Sequence, residues 1–126
     1  MKKTVTNIKV INIKDKFKLF KDYWNPRIVG KLNNHEVKVA KLKGKFVWHH
    51  HMEVDELFWV IKGQLIIHFR DEDKVLNEGE FLIVPKMTDH RPEAKKETHI
   101  ILIETKGTAN TGNTKSRLTR KTSSKI

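Results

Sequence analysis

Apolar and polar residues alternate over much of the chain in short runs separated by turn residues. Residues 27–32 and 36–42 flank Asn33-Asn34-His35, which reads as a hairpin connection. Beyond Lys43-Gly44, residues 45–51 and 56–62 read as strands, and Gly63 turns the chain into a strand over 64–70. Polar turns at 71–74 and 77–79 lead to strands at 80–84 and 98–104. Upstream, Ile8, Val10 or Ile11, and Ile13 give residues 5–13 the alternation of a short edge strand. Phe17, Phe20 and Trp24, spaced by three and four, predict a short helix or turn over 15–23, closed by Asn25-Pro26. Many short strands with little helix predict an all-β sandwich or barrel.

Residues 56–62 carry large apolar side chains on both faces: Phe58 and Val60 on the side of Glu56, Leu57, Trp59 and Ile61 on the other. Likewise Val47, His49 and His51 share one side, and Trp48 and His50 the other. A sheet with one solvated face does not read this way. A second layer or a second subunit must cover the Trp48/Trp59 side, and in so short a chain a homodimer is the expectation.

A length of 126 residues favours a single domain with a real core. The chain has no cysteine, so disulfides and thiolate metal sites are excluded. The first twelve residues lack the apolar stretch of a secretion signal, and no run approaches the roughly 18 apolar residues of a membrane span. A cytoplasmic location without membrane contact is therefore expected. The net charge of +11 includes six uncompensated cations after Glu104: Lys106, Lys115, Arg117, Arg120, Lys121 and Lys125. This reads as a basic tail on a moderately basic domain. Nucleic acid ranks last among partners, since aromatic–basic interleaving and a helix-turn-helix are both absent. With almost no apolar residue to anchor it, the tail from Gly112 is expected to be mobile.

The candidate chemistry lies in His49, His51, Glu56 and His90. His49 and His51 are two apart and point the same way on a strand. Glu56 follows a short loop, and His90 follows a turn after Phe81-Leu82-Ile83-Val84. Folded back on itself, the chain would bring three imidazoles and one carboxylate to a single ion. Such a set suits iron, manganese, nickel or zinc and leaves one or two positions open. Binding would weaken near pH 5–6, where free imidazoles take up protons. His50 points to the opposite face, Asp55 is a candidate supporting carboxylate, and His35 and His99 read as ordinary histidines.

These residues fall into two spaced motifs. Gly44, His49, His51, Glu56 and Gly63 form the first, and Gly79, Pro85, Met87, His90 and Ala94 the second. Together they resemble the cupin superfamily, with Met87 and Ala94 standing where that family has Gly and Asn. The stretches around 46–49 and 55–58, with 104–112, are also similar to a group called mannose-6-phosphate-isomerase-like cupins. The resemblance implies an antiparallel jelly-roll β-barrel over residues 24–111. A strand or short helical segment (1–23) would precede it and the basic tail (112–126) follow it. It also implies a mononuclear 3-His/1-Glu site for one divalent transition metal ion and a pocket for a small-molecule ligand. The expected lining is Phe58, Val60, Met87 and Ile101. Lys86 and Arg91 are the candidates for a phosphate clamp. A metal-dependent enzyme on a small organic substrate, such as a dioxygenase, is the leading functional expectation. A non-catalytic binding or sensing cupin is the alternative.

Overall fold

The computed structural model describes residues 8–126. One short helix, α1 (Ile13–Phe17), precedes eight strands: β1 (Arg27–Leu32), β2 (His35–Lys45), β3 (Glu56–Lys62), β4 (Leu65–Phe69), β5 (Asp73–Leu76), β6 (Phe81–Val84), β7 (His90–Thr105) and β8 (Ser124–Lys125). The Asn12 side chain accepts from the Asp15 N–H and so caps α1. Of the edge strand expected over 5–13, residues 5–7 lie outside the described residues, 8–12 are not strand, and Ile13 opens α1.

The 16-residue β7 organises the fold. One edge pairs with β2 along residues 93–105. The other pairs first with β4, through 90–93, and then with β3, through 99–103. Two arms therefore leave the same edge of β7, one ending in β5 and the other in β6. On the far side the order runs β2, β1, β8.

The expectation of an antiparallel barrel is corrected on two counts. Among the described residues no ladder joins β5 or β6 to β1 or β8, so the sheet does not close. Closure needs strands long enough to share a continuous register around the circumference. Here β5 and β6 have four residues each, and β8, with two, occupies the free edge of β1. That last pairing is parallel, so the sheet is mixed.

The arms still fold over a common core. Ala40, Leu42, Phe58, Val60, Leu65, Ile67, Leu76, Val84, Ile100 and Leu102 fill the space between them. The reverse face is apolar too, as the alternation in 56–62 requires. Phe17 and Phe20 pack there on Val39 and Ile101, flanked by Ile61 and Ile103. Further out, Trp59, Phe81 and Ile83 remain 38%, 57% and 53% exposed. The Arg70 guanidinium lies 3.9 Å over the Trp48 ring.

Residues 46–55 are not the strand expected over 45–51; only His49 makes a bridge, to His90. The reason sits opposite. Pro92 accepts from the Phe46 N–H but has no N–H to return, and Arg91 Nε donates to the Phe46 carbonyl instead. Arg91 is thereby committed to the backbone. Past Gly112 the chain returns along the domain: Thr114 Oγ1 donates to the Trp48 carbonyl, Leu118 packs on the inner core, and Ile126 packs on the outer cluster.

One ion cluster lies on the outer surface of the β4–β5 arm. His68 Nδ1 and Nε2 are each 2.7 Å from a carboxylate, of Asp73 and Glu93. The bond to Glu93, then that to Asp73, raises the His68 pKa. Protons therefore bind the folded state more tightly at this site. The stabilisation is complete below the ordinary histidine value and is lost as pH rises through the raised one. The melting-temperature gap between wild type and His68→Gln is thus expected to be widest in mild acid and to shrink with rising pH. A gap that grows with pH would contradict this.

Candidate metal centre

The four residues singled out in the sequence converge. One ligand atom from each of His49, His51, Glu56 and His90 lies within 4.8 Å of the others, and all four side chains are buried. His49 and His90 are paired by reciprocal backbone bonds of 3.0 and 2.9 Å, which brings their rings to 4.2 Å between centroids. Each ring is oriented by its far nitrogen: His49 Nδ1 meets the Val47 carbonyl at 2.9 Å, and His90 Nδ1 the Thr88 carbonyl at 2.9 Å. A carbonyl partner fixes the proton on Nδ1 and leaves Nε2 with a free lone pair. Glu56, the first residue of β3, brings Oε1 to 3.4 Å from His51 Nε2 and 3.5 Å from His90 Nε2.

These inward atoms are orphans. His51 Nε2, His90 Nε2 and Glu56 Oε1 are buried without a hydrogen-bond partner. Buried polar atoms in that condition are costly unless something else satisfies them. Three imidazole nitrogens and a carboxylate oxygen around one point fit a divalent transition metal ion. Burial, aided by neighbouring His90, pushes the His49 pKa down to about 4, so its ring is neutral and ready to ligate at neutral pH. Burial acts to raise Glu56, but the nearness of Glu104, His51 and His90 outweighs it and holds this carboxyl well below the usual range.

Other candidates fall outside the cluster. His50 Nδ1 is 2.8 Å from Asp89, on the far side from the ligands. Asp55 accepts the Lys86 N–H and shapes the turn before His90. Neither Lys86 nor Arg91 lines the cavity beside the cluster, so the expected phosphate clamp is not assembled there. That cavity is small, about 30 Å³. Trp24, Phe46, Phe58, Ile100, Leu102 and Asn110 contribute to its wall together with His49 and Glu56. Phe58 is as expected, but Ile100 and Leu102 replace Ile101, which faces the outer cluster, and neither Val60 nor Met87 is part of the wall. Met87 is instead exposed in a left-handed turn at φ 64, where the resembled motif has Gly. Met87→Gly is expected to raise stability by up to about 1 kcal/mol, measured by denaturant unfolding.

Three contributors were missed in the sequence. Asn110 Nδ2 donates to the carbonyls of Trp24 and Leu118 and so ties the returning chain to the cavity wall. Lys38 and Glu104 are buried behind Glu56 and paired at 2.8 Å. Parity was the available signal: Lys38 shares its face of β2 with Ala40 and Leu42, and Glu104 its face of β7 with Ile100 and Leu102. Burial, then the charge of Glu56, raises the Glu104 carboxyl well above its ordinary value despite Lys38.

Comparison with known proteins agrees with this geometry. The family model for the cupin domain matches residues 35–105. A cupin-2 domain containing protein from Shewanella frigidimarina is 44% identical, with a TM-score of 0.76 over 77% of this chain and 95% of that one. A Neisseria meningitidis protein of known structure is 31% identical, with a TM-score of 0.71 over 77% and 99%. The uncharacterised protein YdbB of Bacillus subtilis is 39% identical over 79 residues, 62% of this chain and 70% of its own length. With its family motifs, its sheet and its convergent 3-His/1-Glu cluster, the chain belongs to the cupin family.

Proposed function

We propose that this cupin binds one divalent transition metal ion through His49, His51, Glu56 and His90 and acts, as a metal-dependent enzyme, on a small organic molecule. The observation that carries the reading is the set of buried, partnerless nitrogen and oxygen atoms aimed at one point beside an apolar cavity. A bound ion would supply Lewis-acid or redox chemistry there, with positions left for substrate. Iron, manganese, nickel and zinc all suit the donors. The chain's own contribution is to orient the imidazoles and exclude water. An apolar wall without a cationic side chain favours an uncharged organic ligand over a phosphosugar. This weighs against giving the mannose-6-phosphate-isomerase-like likeness any weight for substrate. The test is turnover of a panel of small phenols and organic acids by protein reconstituted with each metal. Turnover lost in a His90→Ala variant supports the enzyme, whereas saturable binding without turnover supports a sensing cupin. One observation favours that second reading: His49, Glu56 and Asn110 are the only cavity-lining residues with polar side chains apart from Trp24.

The apolar face bearing Trp59, Phe81 and Ile83 supports a homodimer, as part of the same proposal. Sedimentation at low micromolar concentration is expected to give twice the chain mass for wild type and the chain mass for Phe81→Glu. A wild-type monomer would refute it. No helix among the described residues is long and apolar enough to cross a membrane. The 112–126 segment, expected to be mobile, is instead tied to the domain at Asn113, Thr114, Leu118 and Ile126; a cytoplasmic setting and no nucleic-acid partner complete the proposal. Salt-sensitive DNA binding lost on trimming the tail would overturn the last.

A further inference from the structure

The buried charges behind Glu56 have no part in the cavity and supply no metal ligand. Lys38 and Glu104 each expose only 1% of their side chains, with Lys38 Nζ 2.8 Å from Glu104 Oε1. A second carboxylate, Glu36, lies 3.7 Å from the same ammonium. Withdrawing such a pair from water is costly, and an apolar pair of the same shape is often as stable. Stability alone therefore does not account for ions at this depth.

Their position does. On the β2–β7 ladder Lys38 is opposite Leu102 and Glu104 opposite Glu36. On the other edge of β7, Leu57 is opposite Ile103, which sets the start of β3 beside Glu104. Antiparallel pairing makes Glu104 the next cross-strand neighbour of Glu56, and Glu104 Oε2, like Glu56 Oε1, is buried without a hydrogen-bond partner. Glu56 needs such support. It is the first residue of its strand, it follows the irregular stretch 46–55, and its Oε1 faces the imidazoles without a partner. A glutamate side chain loses much rotamer freedom on being fixed.

We propose that Lys38 and Glu104 are positioning residues for the metal ligand Glu56. Lys38 fixes the Glu104 carboxyl, and Glu104 holds the Glu56 carboxylate aimed at the three imidazoles before any ion arrives. The effect is a site organised in advance, and metal affinity depends on a lysine that does not touch the metal. This inference rests on the metal reading above.

The test is titration of the full chain with Co(II) alone, read by calorimetry and by the cobalt visible spectrum, with thermal melting of each metal-free variant alongside. Lys38→Met/Glu104→Leu leaves Glu36 without its cation, so it is expected to melt below wild type and to bind Co(II) about 10–100-fold more weakly. Glu104→Gln keeps both the length and a polar contact to each neighbour and is expected to bind within a few-fold of wild type. Glu104→Asp draws the carboxyl back by one methylene and is expected to lose at least about tenfold, with an altered cobalt spectrum. Should the double variant fail to fold, Glu104→Asp decides alone. Wild-type affinity in both it and a folded double variant, or in it alone where the double does not fold, would overturn the inference. Wild-type protein that binds no cobalt would instead remove the metal reading itself.

Discussion

Alanine in place of His49 or His90 is expected to weaken binding of a divalent metal ion by more than the roughly 10–100-fold that an outer-sphere partner costs. Each ring is buried, oriented by a backbone carbonyl at 2.9 Å, and contributes an inner nitrogen. His51→Ala belongs with them, since its partnerless Nε2 faces Glu56. His50→Ala is expected to bind close to wild type, because His50 Nδ1 is held by Asp89 away from the cluster. Calorimetry on the four variants checks this, and equal affinity for wild type and the His49 and His90 variants would contradict it. The pH dependence has a definite sign. His49 is depressed to about 4, so the unfolded chain takes up its proton first as pH falls. The metal-free protein is therefore expected to keep this contribution to stability above the ordinary histidine value of roughly 6.5 and to lose it as pH falls toward about 4. Proton competition at His49 thus sets in below the pH 5–6 expected of free imidazoles.

Gly112→Ala is the second change expected to have a large effect. The returning chain passes so close to the ligand segment that a Cβ here would lie 2.3 Å from the His50 carbonyl oxygen and 3.2 Å from His49 Cδ2. The backbone at φ +54 also disfavours any side chain. Displacement and left-handed strain together are expected to cost about 2–4 kcal/mol. They would also move the loop that presents His49 and His51, because Asn113 binds the His50 backbone at both its N–H and its carbonyl. Gly79→Ala is the control. It shares a positive φ of +84 but has nothing within 4 Å of the added carbon, so only the strain remains. Chemical denaturation of both variants measures the difference, and equal losses would show that the contact at His50 yields freely.

How far the sequence could be read follows from which interactions are local. The convergence of the four candidate residues was legible because spacing alone carries it: two histidines of one parity, a carboxylate after a loop, and a histidine after a turn. Met87, expected in the pocket lining, instead stands exposed in a left-handed turn at φ 64. The double-sided strand β3 was legible from Phe58 and Val60 against Leu57 and Trp59. Closure of the sheet was not, since it depends on whether the terminal strands find partners across the fold. The strand at 45–51 failed because Pro92 lies far off in sequence yet opposite in space. The polarity of 90–97 hides the start of strand β7, although Ala94 packs in the inner core. Lys38 and Glu104 escaped notice because charged residues on an inward parity look like surface positions until their partners are known.

The most direct test of the metal centre is a crystal structure of the full chain loaded with Co(II) or Fe(II), with anomalous differences collected on either side of the metal edge. One peak per chain is expected, about 2.0–2.2 Å from nitrogen atoms of His49, His51 and His90 and from a Glu56 oxygen. A peak elsewhere on the chain, or none among these four side chains after loading, would contradict it.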